Sequence, residues 1–209
     1  MLKYFLAGGP IMYPLLACSI IALSVILERL IFWLKEDMKR DRKLVKQVLE
    51  FARYGDWEAI KEAVQGSKDT IVRVLVAGIL HREFNMSKAM EAAASDEIKR
   101  MRKFLNVLDT IITVAPLLGI LGTVTGIIQS FQMLGEAGIE NPQAVTAGIG
   151  QALITTAAGL IIAIPSLFAY NYFNSKIQNT TVDIEKYATS LEVVYEKLMG
   201  KNNSLNKAS

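Results

Sequence analysis

Charged residues are missing from three long stretches of this 209-residue chain, although they make up 21% of it. No Asp, Glu, Lys, Arg or His stands between Lys3 and Glu28, between Asp109 and Glu136, or between Glu140 and Lys176, leaving uncharged runs of 24, 26 and 35 residues. A bilayer core of about 30 Å is crossed by about 20 helical residues, and a soluble core helix seldom keeps every face free of charge for that long. The chain is therefore read as an all-α integral membrane protein with three transmembrane helices, at 11–34, 109–134 and 148–173.

Other scarcities narrow the function. The single cysteine, Cys18, rules out an intrachain disulfide. The stretch Leu15-Leu16-Ala17-Cys18 faintly resembles a lipoprotein cleavage site, but apolar residues continue to Leu27 and only Lys3 precedes it, so an uncleaved anchor fits better. The one histidine, His81, sits beside Arg82 and Glu83 without a second metal ligand or nucleophile, so no metal, cofactor or catalytic constellation is expected. A net charge of +3 with no aromatic-interleaved basic patch argues against nucleic acid. Above all, no Asp, Glu, Lys, Arg or His lies in the middle of a span, where a proton relay normally needs its carrier. If ions cross here, the carboxylate must come from a partner helix.

The charges that are present set an orientation. Residues 35–108 hold 16 Lys/Arg and the tail 174–209 holds 5, whereas residues 1–10 hold only Lys3 and the loop 135–147 holds none, only Glu136 and Glu140. The positive-inside rule then puts the helical domain 35–108 and the helical tail in the cytoplasm, and residues 1–10 and the loop outside. At the inner edge of the first span stand Glu28 and Arg29. Sequence neighbours diverge by about 100° on a helix, so they need not pair; Arg29 can reach the headgroups while Glu28 seeks a partner helix.

The cytoplasmic part reads as short helices. Leu44, Val45, Val48, Leu49 and Ala52 recur at helical spacing, Gly55-Asp56 makes a turn and N-cap before 57–64, and Gly66-Ser67 closes that element. The apolar stretch 70–80 is too short to span and is interrupted by Arg73. From Ser87 a helix is expected to run into the second span, with no Gly or Pro before Pro116. Asn141-Pro142 reads as an N-cap and first helical residue of a helix that crosses the membrane and continues through Ile184, Leu191 and Leu198, with Gly200 ending it and 201–209 disordered.

Within the later spans, small residues form stripes. Ala115, Gly119, Gly122 and Gly126 line one side of the second, and Ala152, Thr156, Gly159, Ala163 and Ser166 line the third. In lipid, such stripes permit the close backbone approach on which helix association depends. Polar groups accompany them as the expected lining of an ion path, Thr123 in the second span and Gln151, Thr155 and Thr156 in the third, with Gln151 the stronger pore-lining candidate. A threonine can satisfy itself on the carbonyl one turn back, whereas the Gln151 amide has four hydrogen-bonding sites and must find a partner, water or an ion. Gln151 and Thr155 are one turn apart, while Thr156 points about 140° from Gln151.

The runs Ala115-Pro116-Leu117-Leu118-Gly119-Ile120-Leu121-Gly122-Thr123-Val124-Thr125-Gly126 and Gly148-Ile149-Gly150-Gln151-Ala152-Leu153-Ile154-Thr155-Thr156-Ala157-Ala158-Gly159-Leu160 resemble the MotA/TolQ/ExbB proton-channel family. With three spans rather than the four of the MotA branch, the chain is more similar to ExbB and TolQ. The resemblance implies a pentameric ring in a bacterial inner membrane, N-terminus periplasmic and C-terminus cytoplasmic. Its second and third spans would surround single-span ExbD/TolR-like subunits carrying the essential aspartate, and the motor would drive a TonB/TolA-like periplasm-spanning protein. Thr123 and Thr156 match the family's pore threonines. Gln151 departs from the glutamate common there, which leaves H⁺ and Na⁺ both open as the ion. Two other classes compete with the channel: a non-conducting membrane scaffold with the same packing stripes, and, least favoured, an intramembrane enzyme.

Overall fold

The computed structural model describes residues 8–137 and 142–206, and all regular structure among them is helical. Seven helices follow one another: α1 (Met12–Lys39), α2 (Arg42–Tyr54), α3 (Trp57–Ala63), α4 (Thr70–Leu80), α5 (Met86–Arg102), α6 (Leu105–Ala137) and α7 (Pro142–Asn206). Three of them, α1, α6 and α7, are long and apolar enough to cross a membrane. Lys3, Glu140 and Asn141 lie outside the described residues, so the N-cap expected at Asn141 does too, although Pro142 does open α7.

Contacts divide the chain into two compact units, Met1–Leu30 with Phe104–Phe173 and Ile31–Lys103 with Asn174–Ser209. The first is the bundle of apolar runs. Leu15, Ala22 and Val25 of α1 bury themselves against Leu108, Ile111 and Ala115 of α6, with Ala158, Ile162 and Tyr170 of α7 packed around them. Pro116 and Pro165 sit inside α6 and α7 without ending them. Membrane helices tolerate such prolines because neighbouring helices and Ser/Thr side chains satisfy the backbone groups that proline frees.

The second unit is a small helical domain whose short elements are each started by a side-chain cap. The Asp41 carboxylate accepts from Lys43 N and Leu44 N, Asp56 from Ala59 N, and the Asn85 amide oxygen from Lys88 N. Asp69, almost fully buried, accepts from Ile71 N at 2.7 Å and Val72 N at 3.1 Å, and also from Asp41 N at 2.7 Å, tying the start of α4 to the start of α2. Gly55, in the left-handed region at φ 72°, closes α2 and lets Asp56 begin α3. The apolar helix α4 buries Ile71, Val72, Val74, Leu75 and Ile79, and Gly78 lets it approach Met90 of α5. From α7, Ile177, Ile184 and Leu191 repeat every seven residues and are all buried in this unit, the stripe by which a long helix seats itself on neighbours. Two buried carboxylates, Glu36 and Glu97, share Arg100, at 2.9 and 3.0 Å, with Thr70 and Arg73 completing the network.

Two expectations about helix ends are corrected. The run from Ser87 is not continuous: α5 stops at Arg102, Lys103 is extended, and Phe104 is the one non-glycine residue with positive φ, 65°, among the described residues, before α6 starts at Leu105. Neither glycine nor proline marks this break. What accompanies it is tertiary, the Phe104 ring lying beneath the Arg29 guanidinium at 5.9 Å, and holding a bulky residue in that conformation costs about 1–3 kcal/mol. At the other end Gly200 does not terminate α7, which runs to Asn206. One interior glycine costs about 1 kcal/mol, less than is needed to stop a 65-residue helix.

Candidate functional site: a neutral oxygen cluster in the α6–α7 seam

The small-residue stripes of α6 and α7 face each other. A Cβ on Gly159 would lie 2.5 Å from the Ala115 carbonyl oxygen, one on Gly119 3.0 Å from the Thr155 carbonyl oxygen, and one on Gly126 3.0 Å from the Gly148 carbonyl oxygen. One on Gly122 would collide with the Thr155 side chain. As the position on α6 rises the position on α7 falls, so the two helices run antiparallel with backbones in contact along the stripe. Side chains could only be added here by parting them.

Four sequence-selected polar residues fall in or near this seam, in three different settings. Thr155 is wholly buried against Gly122 and donates back to the Ala152 carbonyl at 2.8 Å, so its hydroxyl is consumed locally. Gln151 turns instead toward the chain before α1: a Cβ on Gly9, which has φ 69°, would strike the Gln151 amide. Thr123 and Thr156 alone come together. Their half-buried hydroxyls are in direct hydrogen-bond contact, Thr123 Oγ1 lies 3.2 Å from the Gly119 carbonyl oxygen and 3.3 Å from that of Ala152, and Thr156 Oγ1 lies 3.2 Å from that of Gly119.

The arrangement is a crossed one. Gly119 stands one turn before Thr123 and Ala152 one turn before Thr156, so each hydroxyl reaches the carbonyl that would ordinarily satisfy the other. By contrast Thr110, Thr113, Thr125 and Ser166 bond within their own helix. Two hydroxyl protons cannot serve all four contacts at once, and each hydroxyl oxygen retains lone pairs. The result is a cluster of four neutral oxygens, two hydroxyl and two carbonyl, whose protons can be redistributed. Such oxygen groups suit water, a hydrated proton or a hard cation, and cannot themselves hold a transported charge by ionising.

Glu28 and Arg29 correct another expectation. They pair with each other: Arg29 Nε and Nη2 donate to Glu28 Oε2 and Oε1 at 2.5 and 2.6 Å. Arg29 is also the more buried, at 2% exposure against 45% for the Glu28 side chain, so it does not extend to solvent. Both side chains are long enough to reach around the helix, and a buried guanidinium requires a carboxylate or comparable acceptors. His81 caps α4, its ring nitrogen Nδ1 lying 2.9 Å from the Ala77 carbonyl oxygen, and its side chain is exposed. Among the described residues no group of His, Cys, Asp and Glu could hold a metal ion.

Fold and seam together define a multi-span membrane protein whose α6–α7 seam carries a polar, uncharged oxygen cluster. The chain belongs to the MotA/TolQ/ExbB proton channel family, whose family model matches residues 65–186, more than half of the chain. Within it the chain falls on the ExbB/TolQ branch. It is 34% identical over 199 residues to an ExbB-like biopolymer transport protein of Synechocystis sp., numbered 3 there, covering 92% of this chain and 93% of that protein. It is 39% identical over 206 residues to the ExbB-like protein numbered 1 of the same organism, covering 95% and 80%. The biopolymer transport protein ExbB of Aquifex aeolicus is 41% identical over 87 residues, covering 42% and 59%.

Proposed function

We propose that this chain is the ring-forming channel subunit of an ion-driven motor in a bacterial inner membrane. In this reading α6 and α7 of several copies, five by family resemblance, surround single-span ExbD/TolR-like helices that carry a membrane aspartate. The N-terminus is periplasmic and the C-terminus cytoplasmic, and H⁺ or Na⁺ flow does mechanical work on the envelope through a TonB/TolA-like protein. The observation that carries the reading is the Thr123–Thr156 oxygen cluster in spans without a mid-membrane ionisable group. A path so lined needs a carboxylate from elsewhere. Thr123 and Thr156 then line the path, Thr155 and the glycines Gly119, Gly122, Gly126 and Gly159, with Ala115, hold the seam, and Gln151 stands toward its outer end.

A non-conducting scaffold would use the same seam, and the mutual satisfaction of the two hydroxyls suits it equally. Co-expression with a single-span, aspartate-bearing subunit, followed by native mass spectrometry of the purified complex, tests the channel reading. A closed oligomer retaining that subunit is expected; an oligomer that excludes every such partner contradicts the channel and favours the scaffold.

A further inference from the structure

The second unit contains an open cleft of about 440 Å³ lined by Asp37, Arg40, Arg42, Lys176, Asn179 and Asp183, among others. Two of its cations are matched: Lys176 Nζ donates to Asp37 Oδ2 at 2.7 Å, and Arg40 is bonded to Asp183. Arg42, exposed, has no carboxylate partner among the described residues. Its neighbour Asp41 is occupied in capping α2 and in accepting from Lys43 N and Leu44 N. Three cations against two carboxylates leave the lining at +1. The donors are in larger surplus, because an ammonium offers three N–H groups and a guanidinium five, and one carboxylate cannot use them all.

A second observation points the same way. An adjoining cavity of about 20 Å³ shares Asp37, Arg40 and Thr180 with the cleft and is lined by Trp33. The Trp33 ring is 3% exposed, lies 5.9 Å beneath Lys176 Nζ, and its Nε1–H has no acceptor among the described residues. A space of that size admits about one water, which could join the indole to whatever occupies the cleft.

The residues also stand at a telling place in the sequence. Arg40 follows the end of the first span, Leu34, by six residues, and Lys176 follows the end of the third, Phe173, by three. At about 1.5 Å per helical residue that is about 5–9 Å, comparable to the headgroup layer on one side of a bilayer. An anion with several oxygens would use both the guanidinium forks and the ammonium, as phosphate groups do.

We infer that this cleft is a binding site for a phosphate-bearing anion, with the headgroup of an acidic phospholipid as the source its position favours. The test uses the full chain in nanodiscs of phosphatidylcholine alone or mixed with phosphatidylglycerol, with native mass spectrometry of the lipid retained on transfer to detergent. A parallel arm measures the shift in melting temperature on adding inorganic phosphate. Wild type is expected to retain phosphatidylglycerol over phosphatidylcholine, and Arg42→Gln and Lys176→Gln are each expected to weaken retention by about fivefold. Arg42→Gln is the decisive variant, since it breaks no ion pair. A phosphate-dependent shift lost in Arg42→Gln, without any lipid preference, keeps the phosphate site and assigns it to a soluble ester. Equal retention of the two lipids with no phosphate shift, or binding unchanged in Arg42→Gln, overturns the inference.

Discussion

Thr123 and Thr156 place their hydroxyls in hydrogen-bond contact across the α6–α7 seam, each beside the carbonyl one turn behind the other. The pair can be dissected energetically without reference to transport. In membrane helices such interhelical hydrogen bonds average about 0.6 kcal/mol. A double-mutant cycle of Thr123→Ala and Thr156→Val, read by unfolding in detergent, is expected to give a coupling of that order, with each single variant still folded. A coupling of several kcal/mol would make the pair chiefly structural.

The seam itself should be intolerant of added volume. Gly159→Ala sets a methyl group against the Ala115 carbonyl oxygen, a backbone atom that cannot rotate away. Overpacking of this kind costs about 1–3 kcal/mol. Gly150→Ala, where an added Cβ meets nothing within 4 Å, is the control and should not destabilise, gaining up to about 1 kcal/mol of helix propensity. Thermal unfolding of the two variants side by side checks the contrast.

The Glu28–Arg29 pair predicts an asymmetric response. Removing the half-exposed carboxylate deprives a buried guanidinium of its two-pronged partner, so Glu28→Ala should destabilise by about 1–3 kcal/mol. Taking the charge away as well, in Glu28→Ala/Arg29→Met, should restore part of that loss. Stability equal to wild type in Glu28→Ala would mean that the pair contributes nothing.

Asp69 should be the most sensitive cap. It serves three backbone N–H groups and ties α4 to the start of α2, while Asp56 and Asn85 each serve one. Asp69→Ala is expected to cost about 2–3 kcal/mol, beyond the ~1 kcal/mol typical of a cap. Asp56→Ala should cost about 1 kcal/mol, and comparable melting curves for both would refute the ranking.

Much of this architecture was legible because membrane spans obey a composition rule that needs no partner. The uncharged runs alone identify α1, α6 and α7, and the turn at Gly55-Asp56 could be read from local chemistry. What escaped was decided by tertiary contact. The break at Phe104 lacks any local breaker, and the burial of Arg29 could not be seen from its place at a span's edge. Gly200 misled because a glycine marks a helix end only where the chain has reason to turn. At the seam, the small-residue spacing pointed to the glycines along which α6 and α7 approach, but not to how the polar residues sort among them. Thr123 and Thr156 pair because of the register between helices, which also sends Thr155 into the packing and Gln151 toward Gly9. The caps at Asp41, Asp69 and Asn85 carried a usable signal, an Asp or Asn just ahead of each short helical run.

The central claim is that Thr123 and Thr156 line an ion path completed by a partner's carboxylate. It is tested most directly by ion flux into liposomes holding this chain with its single-span, aspartate-bearing subunit, under imposed H⁺ or Na⁺ gradients. Flux of one of these ions is expected for the wild-type complex, and its loss in Thr123→Ala and in Thr156→Val while the complexes remain assembled. Undiminished flux in both variants, or none in the wild-type complex with either ion, would contradict the account.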